Sequence, residues 1–254
     1  LNQRDPIGLE TVAPFDTTYP QVTEDLHVLS DARHYHEWLY SCIKGALGSR
    51  IIEVGAGIGN YTPFLLTHGA VRIAEPEPAY AGHLRRRFGA FGNLDVEQLA
   101  LGAWTAETRA RVREFRPDTF VCLNVLEHVV EDEAAVAAMY DCLEPGGHLA
   151  LVLPALGWLF SALDERYGHY RRYGRADAAR LVRSLTGASI PRCHYLNAIA
   201  VPAWWINHVL LKREGLPKAQ TKFFDRVLVP LAAAFERVVP VPFGLSLVLW
   251  IRKQ

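Results

Sequence analysis

The 254-residue chain has no charge excess: 27 Lys and Arg stand against 27 Asp and Glu. A balanced surface sets up no broad field for nucleic acid or an acidic bilayer, so no nucleic-acid partner is expected. The clusters Arg85-Arg86-Arg87 and Arg171-Arg172 are local, and the first fits a solvated helix face. Cysteine is sparse. Cys42, Cys122, Cys142 and Cys193 form no C-x-x-C pair, which argues against disulfides and zinc and for reduced thiols in the cytosol. No metal is expected, and Cys122, within an apolar run, reads as inert core. Repeats and low-complexity linkers are missing. The most apolar stretch, Ala198 to Leu211, is interrupted by Asn207 and His208 and is too short to span a bilayer. No secretory leader is expected. The chain opens on Leu1 rather than Met, so this start need not be the gene start.

What is present is enough apolar material, half of all residues, for one substantial core. Residues 1 to 23, with Pro6, Pro14 and Pro20, read as an extended arm, and 24 to 47 as a helix. Strands are expected at Ile51–Val54, Val71–Ala74, within Leu94–Leu101, at Thr119–Leu123, His148–Leu153, Ile190–Tyr195 and Leu245–Arg252. Helices are expected at Asn60–Thr67, Pro78–Phe88, Asp132–Leu143 and Arg175–Leu185, with two more, Val201–Lys212 and Lys222–Val238, forming an insertion. Alternating strands and helices predict a Rossmann-like α/β fold, a mostly parallel sheet covered on both faces. One domain over residues 1–254 is expected. Within it, 1–47 form an arm and cap and 198–240 a helical lid.

Ligands of such sheets bind beyond the carboxyl ends of the strands. There the sequence reads Ile51-Ile-Glu-Val-Gly-Ala-Gly-Ile-Gly59, with Glu75 twenty residues after Gly55. Gly55, Gly57 and Gly59 allow a sharp turn and a close backbone approach. Asn60, Tyr61 and Thr62 open a helix whose free N–H groups face the ligand. Glu75 is placed to accept two hydrogen bonds from a ribose diol. A dinucleotide site favours G-x-G-x-x-G so that a pyrophosphate meets the helix end. Here the third glycine comes one residue early, and Glu53 would repel a pyrophosphate. The pattern favours a nucleoside carrying a sulfonium.

On Glu53-Val-Gly-Ala-Gly-Ile-Gly59, Glu75, Phe120-Val-Cys-Leu-Asn-Val-Leu-Glu-His128 and Pro145-Gly-Gly147, the chain resembles the class I S-adenosylmethionine-dependent methyltransferases over nearly all of residues 31–254. More narrowly, Gly168-His-Tyr-Arg-Arg-Tyr173 and Pro242-Phe-Gly-Leu-Ser246 are similar to a bacterial branch sometimes joined to polyprenyl-phosphate glycosyltransferases. The resemblance implies a seven-stranded sheet with an antiparallel last strand, and S-adenosyl-L-methionine as cofactor. The expected cofactor contacts are Tyr35, Glu53, Gly55, Ala56, Gly57, Asn60, Glu75, Pro76, Gly102, Ala103, Asn124, Val125 and His128. The family's acid after the third strand is missing from Leu101-Gly-Ala-Trp104, leaving backbone near Ala103, and Trp104 as an adenine neighbour or plain core. Glu127 reads as a helix-start acid with a capping partner.

Acceptor chemistry is expected from residues 164–173. His169 is the candidate base, with Tyr170 or Tyr173 positioning, the two tyrosines sharing one side of a helical turn. The competing reading makes this segment an interface in which Arg171 pairs with an acid. Asn197 can donate and accept. Trp204 and Trp205 read as core, and Tyr35 and Trp38 close the pocket. Methyl transfer to a small-molecule or lipid-linked acceptor is the leading function. The alternative consumes the cofactor alone: its amine attacks its own γ-carbon, giving azetidine-2-carboxylate and methylthioadenosine, with Tyr173, Asn197 and His169 holding the amine. Phe223, Phe224, Val227, Leu228 and Leu231 are apolar at helical spacing and read as core rather than as a bilayer contact. The oligomeric state is left open.

Overall fold

The computed structural model describes residues 20–213, 215 and 218–254. Most of the expected arm lies outside them, and residues from Pro20 onward are already helical. The described residues form a seven-stranded sheet in the order β3-β2-β1-β4-β5-β7-β6. Its strands are β1 (Arg50–Val54), β2 (Ala70–Ala74), β3 (Leu94–Glu97), β4 (Thr119–Leu123), β5 (His148–Pro154), β6 (Ala188–Leu196) and β7 (Ser246–Lys253). β1 to β5 are parallel, and β7 runs antiparallel between β5 and β6. This is the Rossmann-like architecture expected. β1, β4 and β5 are near-continuous apolar runs because helices cover both of their faces.

The chain winds outward from β1 through β2 to β3, then returns to place β4 on β1's other side. The crevice opens at that switch point, beyond the carboxyl ends of β1 and β4. The helices are α1 (Pro20–Ser30), α2 (Arg33–Ile43), α3 (Thr62–Leu66), α4 (Pro78–Phe88), α5 (Ala106–Glu114), α6 (Asp132–Cys142), α7 (Ala162–Arg166) and α8 (Arg175–Val182). The insertion follows β6 as α9 (Ala200–Trp204), α10 (Lys218–Phe223) and α11 (Val229–Val238).

Several expectations change. The single helix over 24–47 breaks at Asp31–Ala32, where Ala32 takes a non-helical backbone (ψ 64°). The helix after the glycine turn starts at Thr62 and has only 5 residues, so Asn60 precedes it. The insertion helices each contain a π-helical stretch, Trp205–Leu210 and Phe224–Leu228. α5 was not anticipated: its charged sequence AETRARVRE buries little beyond Val112 and Thr108 and offers almost no apolar period.

The insertion also departs from the expected core. Phe223 is 59% exposed, Leu231 62% and Val227 43%, while Phe224 and Leu228 are half-buried. The helices dock through polar anchors instead. Asp225 accepts from the backbone N–H of Tyr35 (2.9 Å) and meets His34 Nδ1 (3.0 Å). Glu236 accepts from the N–H groups of Asn197 and Ala198 (both 2.9 Å).

Candidate functional site

The three glycines after β1 all take left-handed backbone, with φ of 66°, 57° and 81° for Gly55, Gly57 and Gly59. Their reasons differ. A Cβ on Gly55 would lie 2.5 Å from Val125 Cγ2, so the turn packs directly beneath the segment after β4. A Cβ on Gly59 would lie 2.6 Å from Phe88 Cε2, so this glycine serves packing against α4 rather than a ligand. Gly57 is the least crowded of the three, a Cβ there meeting only the Leu26 methyl of α1, at 3.4 Å.

Two buried acids flank the turn. Glu53 Oε2 accepts from Thr62 Oγ1 (2.7 Å), tying β1 to α3. Glu75 accepts from the Gly57 N–H (2.9 Å) and the Glu77 N–H (3.0 Å), which aims its carboxylate into the crevice. Burial pushes both carboxyls up to about 7, against the bonds they accept. Arg87 braces the turn from outside, donating to the carbonyl of Ile58 (2.9 Å). The solvated face expected for Arg85–Arg87 thus holds only in part, since Arg85 also donates to the Val96 carbonyl (2.8 Å).

α1 lies across this turn. Besides Leu26 over Gly57, Thr23 bonds Tyr80 of α4 (2.8 Å) and Asp25 accepts from the Tyr167 hydroxyl (2.7 Å). Tyr35 of α2 reaches the same crevice, where its hydroxyl bonds Ser246 and burial raises its pKa. Trp38 is core, 7% exposed.

Backbone strain collects at the neighbouring strand ends. Asn124 after β4, Leu156 after β5 and Asn197 after β6 have φ of 52°, 64° and 65°. Such values are uncommon in residues other than glycine, Asn adopting them most readily. The Asn124 side chain is exposed, whereas that of Asn197 is buried and its Oδ1 has no hydrogen-bond partner.

Opposite the glycine turn, Glu127, His128 and His169 converge. His169 Nδ1 sits 2.9 Å from Asp164 Oδ1, leaving Nε2 3.8 Å from Glu127 Oε1. The His128 and His169 rings meet edge-on at 4.7 Å. Asp164 also accepts from Arg172 Nε (2.9 Å) and Ser161 Oγ (2.8 Å). Burial alone raises the Asp164 carboxyl, but these bonds outweigh it and hold it below its ordinary value. Glu127 is fully buried, and neither carboxylate oxygen has a hydrogen-bond partner. The expected capping partner of Glu127 is therefore absent among the described residues. Burial raises its pKa to about 8.

Glu53, Gly55, Gly57, Glu75 and Val125 thus gather at the glycine turn, while His128 and His169 meet beside the turn after β4. Other expected residues fall elsewhere. Tyr173 is fully buried, its hydroxyl donating to Asp132 (3.1 Å), so it is a core strut rather than a positioning group. No helical turn puts Tyr170 beside it, since residues 168–173 are irregular and Tyr170 is 58% exposed. Arg171 pairs with Asp132 (2.9 Å), as the interface reading requires. Trp104 packs on Phe120 (5.9 Å) in the core. Trp204 is half-buried beneath Arg172, at 4.6 Å, whereas Trp205 is exposed rather than core. Gly102 and Pro76 are exposed at the rim, Ala56 and Asn60 are half-buried beside the turn, and Ala103 closes a 3-10 turn. Asp164 and Arg172, the pair that sets His169, were not singled out as site residues. Their signal was an acid eight residues before a buried Arg, which becomes legible only once the loop folds back.

Comparison with known proteins agrees with the fold. Residues 52–149 match the model of a methyltransferase domain. A ubiquinone biosynthesis O-methyltransferase of Alkalilimnicola ehrlichii is 32% identical over 136 residues, 52% of this chain and 53% of the relative. An S-adenosyl-L-methionine-dependent Diels-Alderase of Talaromyces variabilis is 29% identical over 124 residues, 47% of this chain and 41% of the relative. The chain thus spans about half the length of these curated relatives. Among solved structures, the N-methyltransferase NodS of Bradyrhizobium japonicum WM9, in complex with S-adenosyl-L-homocysteine, covers 72% of this chain and 92% of its own (21% identity, TM-score 0.52). Magnesium protoporphyrin IX methyltransferase of Synechocystis PCC 6803, with bound S-adenosylmethionine, covers 95% of this chain and 87% of its own (15% identity, TM-score 0.51). These structures share the fold.

Proposed function

We propose that the protein is an S-adenosyl-L-methionine-dependent methyltransferase whose acceptor is lipid-linked. The observation that carries the transferase reading is Glu75, a buried acid that accepts from the Gly57 N–H of the glycine turn. That arrangement fits a nucleoside: Glu75 keeps lone pairs free for a ribose diol, and the lack of a Cβ on Gly57 lets the backbone come close to it. When bound, the cofactor supplies an electrophilic methyl group on a sulfonium. The chain's own part is positioning and water exclusion. α1, latched to Tyr80 and Tyr167, covers the turn. His169, its ring set by Asp164, keeps Nε2 toward the acceptor side as the group that takes or steers the acceptor's proton.

The lipid-linked acceptor rests on the insertion. Trp205, Leu210, Phe223, Leu231, Phe235 and Val238 are all exposed there. Lys212, Arg213, Lys222, Arg226 and Arg237 are exposed among them, while Asp225 is buried and Glu236 accepts backbone bonds. An apolar face edged with cations suits an anionic bilayer surface. Among the described residues no helix is long and apolar enough to cross a membrane.

Nothing in the site favours the cyclisation alternative. Tyr173, one of the three groups it needs at the amine, is bonded to Asp132 within the core. Incubation with methyl-tritiated cofactor and either a membrane-lipid extract or an aqueous metabolite extract tests both readings. Label in the chloroform-soluble fraction is expected. Methylthioadenosine released without any acceptor, above the spontaneous rate, would overturn the transferase reading, and label confined to aqueous products would overturn the lipid.

A further inference from the structure

We propose that Glu127, His128 and His169 form a binding site for a divalent transition-metal ion. One ligand atom from each lies within 4.8 Å of the others. Glu127 and His128 come from the turn after β4, where the His128 N–H is held by the Val125 carbonyl (3.0 Å). His169 comes from the loop between α7 and α8, pinned to that turn by the Tyr170 N–H on the Glu127 carbonyl (2.8 Å). Two segments far apart in sequence are thus locked at the distance a shared ligand needs.

The carboxylate gives the second, independent indication. A buried carboxylate with no donor on either oxygen is costly unless something compensates it. Arg172 is close but is committed to Asp164, through Nε and Nη2, and to the Ala155 carbonyl. Its charge is already matched. What remains is a carboxylate with no hydrogen-bond donor, facing two imidazoles that offer lone pairs rather than protons when neutral.

The arrangement around His169 is that of a metal-bound histidine. Asp164 engages Nδ1 at 2.9 Å, fixing the ring and directing Nε2 toward Glu127. A carboxylate behind a ligating imidazole sets its tautomer and raises its basicity. Two imidazoles and one carboxylate select a borderline ion such as Zn2+, Fe2+ or Co2+ over Mg2+ or Ca2+, which prefer all-oxygen sets. Three protein ligands leave coordination positions open.

The site lies on the acceptor side, since Val125, one turn before His128, stands over Gly55. An open position would hold an acceptor hydroxyl and lower its pKa. In that state His169 Nε2 is committed to the ion and no longer takes the proton, which the lowered pKa lets the hydroxyl release to solvent. This use of the ion rests on the methyltransferase reading, but ion binding itself does not.

The test uses the full chain, freed of metal by dialysis against a chelator and titrated with Co2+ alone by calorimetry and visible absorption. One ion per chain and a visible ligand-field band are expected, with affinity falling by more than about tenfold in Glu127→Gln and in His128→Ala. His128 is exposed, so its variant reports even where the buried substitution fails to fold. Absence of the band, or unchanged affinity in His128→Ala, would overturn the proposal. S-adenosyl-L-methionine binding measured on the same samples separates the two readings: if it persists while Co2+ fails to bind, only the metal site falls.

Discussion

Glu75 and Glu127 are both buried acids beyond strand ends, and they are treated oppositely. Glu75 receives two backbone N–H bonds and completes a turn that needs nothing further to be rigid. Glu127 receives none, although it shares its surroundings with two imidazoles and an arginine. The glycine turn is braced by its own backbone, while the Glu127–His169 cluster is held in shape by Asp164 and Arg172 behind it. Rigidity on one side and unfinished valence on the other is what a common cofactor and a particular acceptor require.

The comparison is broken most forcefully at Asp164. Asp164→Ala strips the partner from buried Arg172 and should cost about 3–5 kcal/mol, measured by urea unfolding. A loss within the range of a surface substitution would mean that the acceptor side does not depend on this pair.

Next in size is a pH effect on the cofactor side. Glu53 titrates near 7 in the folded protein, raised from about 4.5 by burial. Its neutral form is favoured on folding, so its contribution is complete below about pH 4.5 and is lost as pH climbs through 7, worth about 3 kcal/mol at most. Glu53→Gln should flatten the fall in stability between pH 5 and 8, followed by thermal melts at several pH values. An unchanged slope would show that the acid is ionised throughout.

Gly59→Ala separates packing from ligand contact within one turn. Its Cβ would press on Phe88 and its φ is 81°, so a loss of about 1–3 kcal/mol is expected in chemical denaturation. Smallest on stability is the insertion: Leu231→Asp, at a site 62% exposed, should shift unfolding by less than about 0.5 kcal/mol. The same change should weaken flotation with vesicles containing phosphatidylglycerol. Retained flotation would remove the bilayer from the account.

The cofactor side was legible because its signals are local. Three glycines, an apolar strand and an acid twenty residues on need no tertiary knowledge, and the strands β1, β2, β4 and β5 carry their burial in their composition. Gly59 was grouped with Gly55 and Gly57 as a turn glycine because sequence cannot distinguish a glycine that admits a ligand from one that admits Phe88. The acceptor side was less legible because its geometry comes from a loop. Tyr173 was expected at the substrate from a helical spacing that residues 168–173 do not adopt, and its hydroxyl goes to Asp132. Glu127 looked like a capping acid until the turn buried it. Phe223 and Leu231 matched a core pattern, but a helix anchored by Asp225 can present the same residues outward.

The central claim is that Gly57 and Glu75 grip the adenosyl part of the cofactor. Titration calorimetry of S-adenosyl-L-methionine into the wild-type chain and Glu75→Ala tests it directly. The account predicts saturable binding to the wild type and a loss of about a hundredfold in the variant, about 3 kcal/mol for hydrogen bonds to a charged group. Equal affinity in a folded Glu75→Ala protein would contradict it.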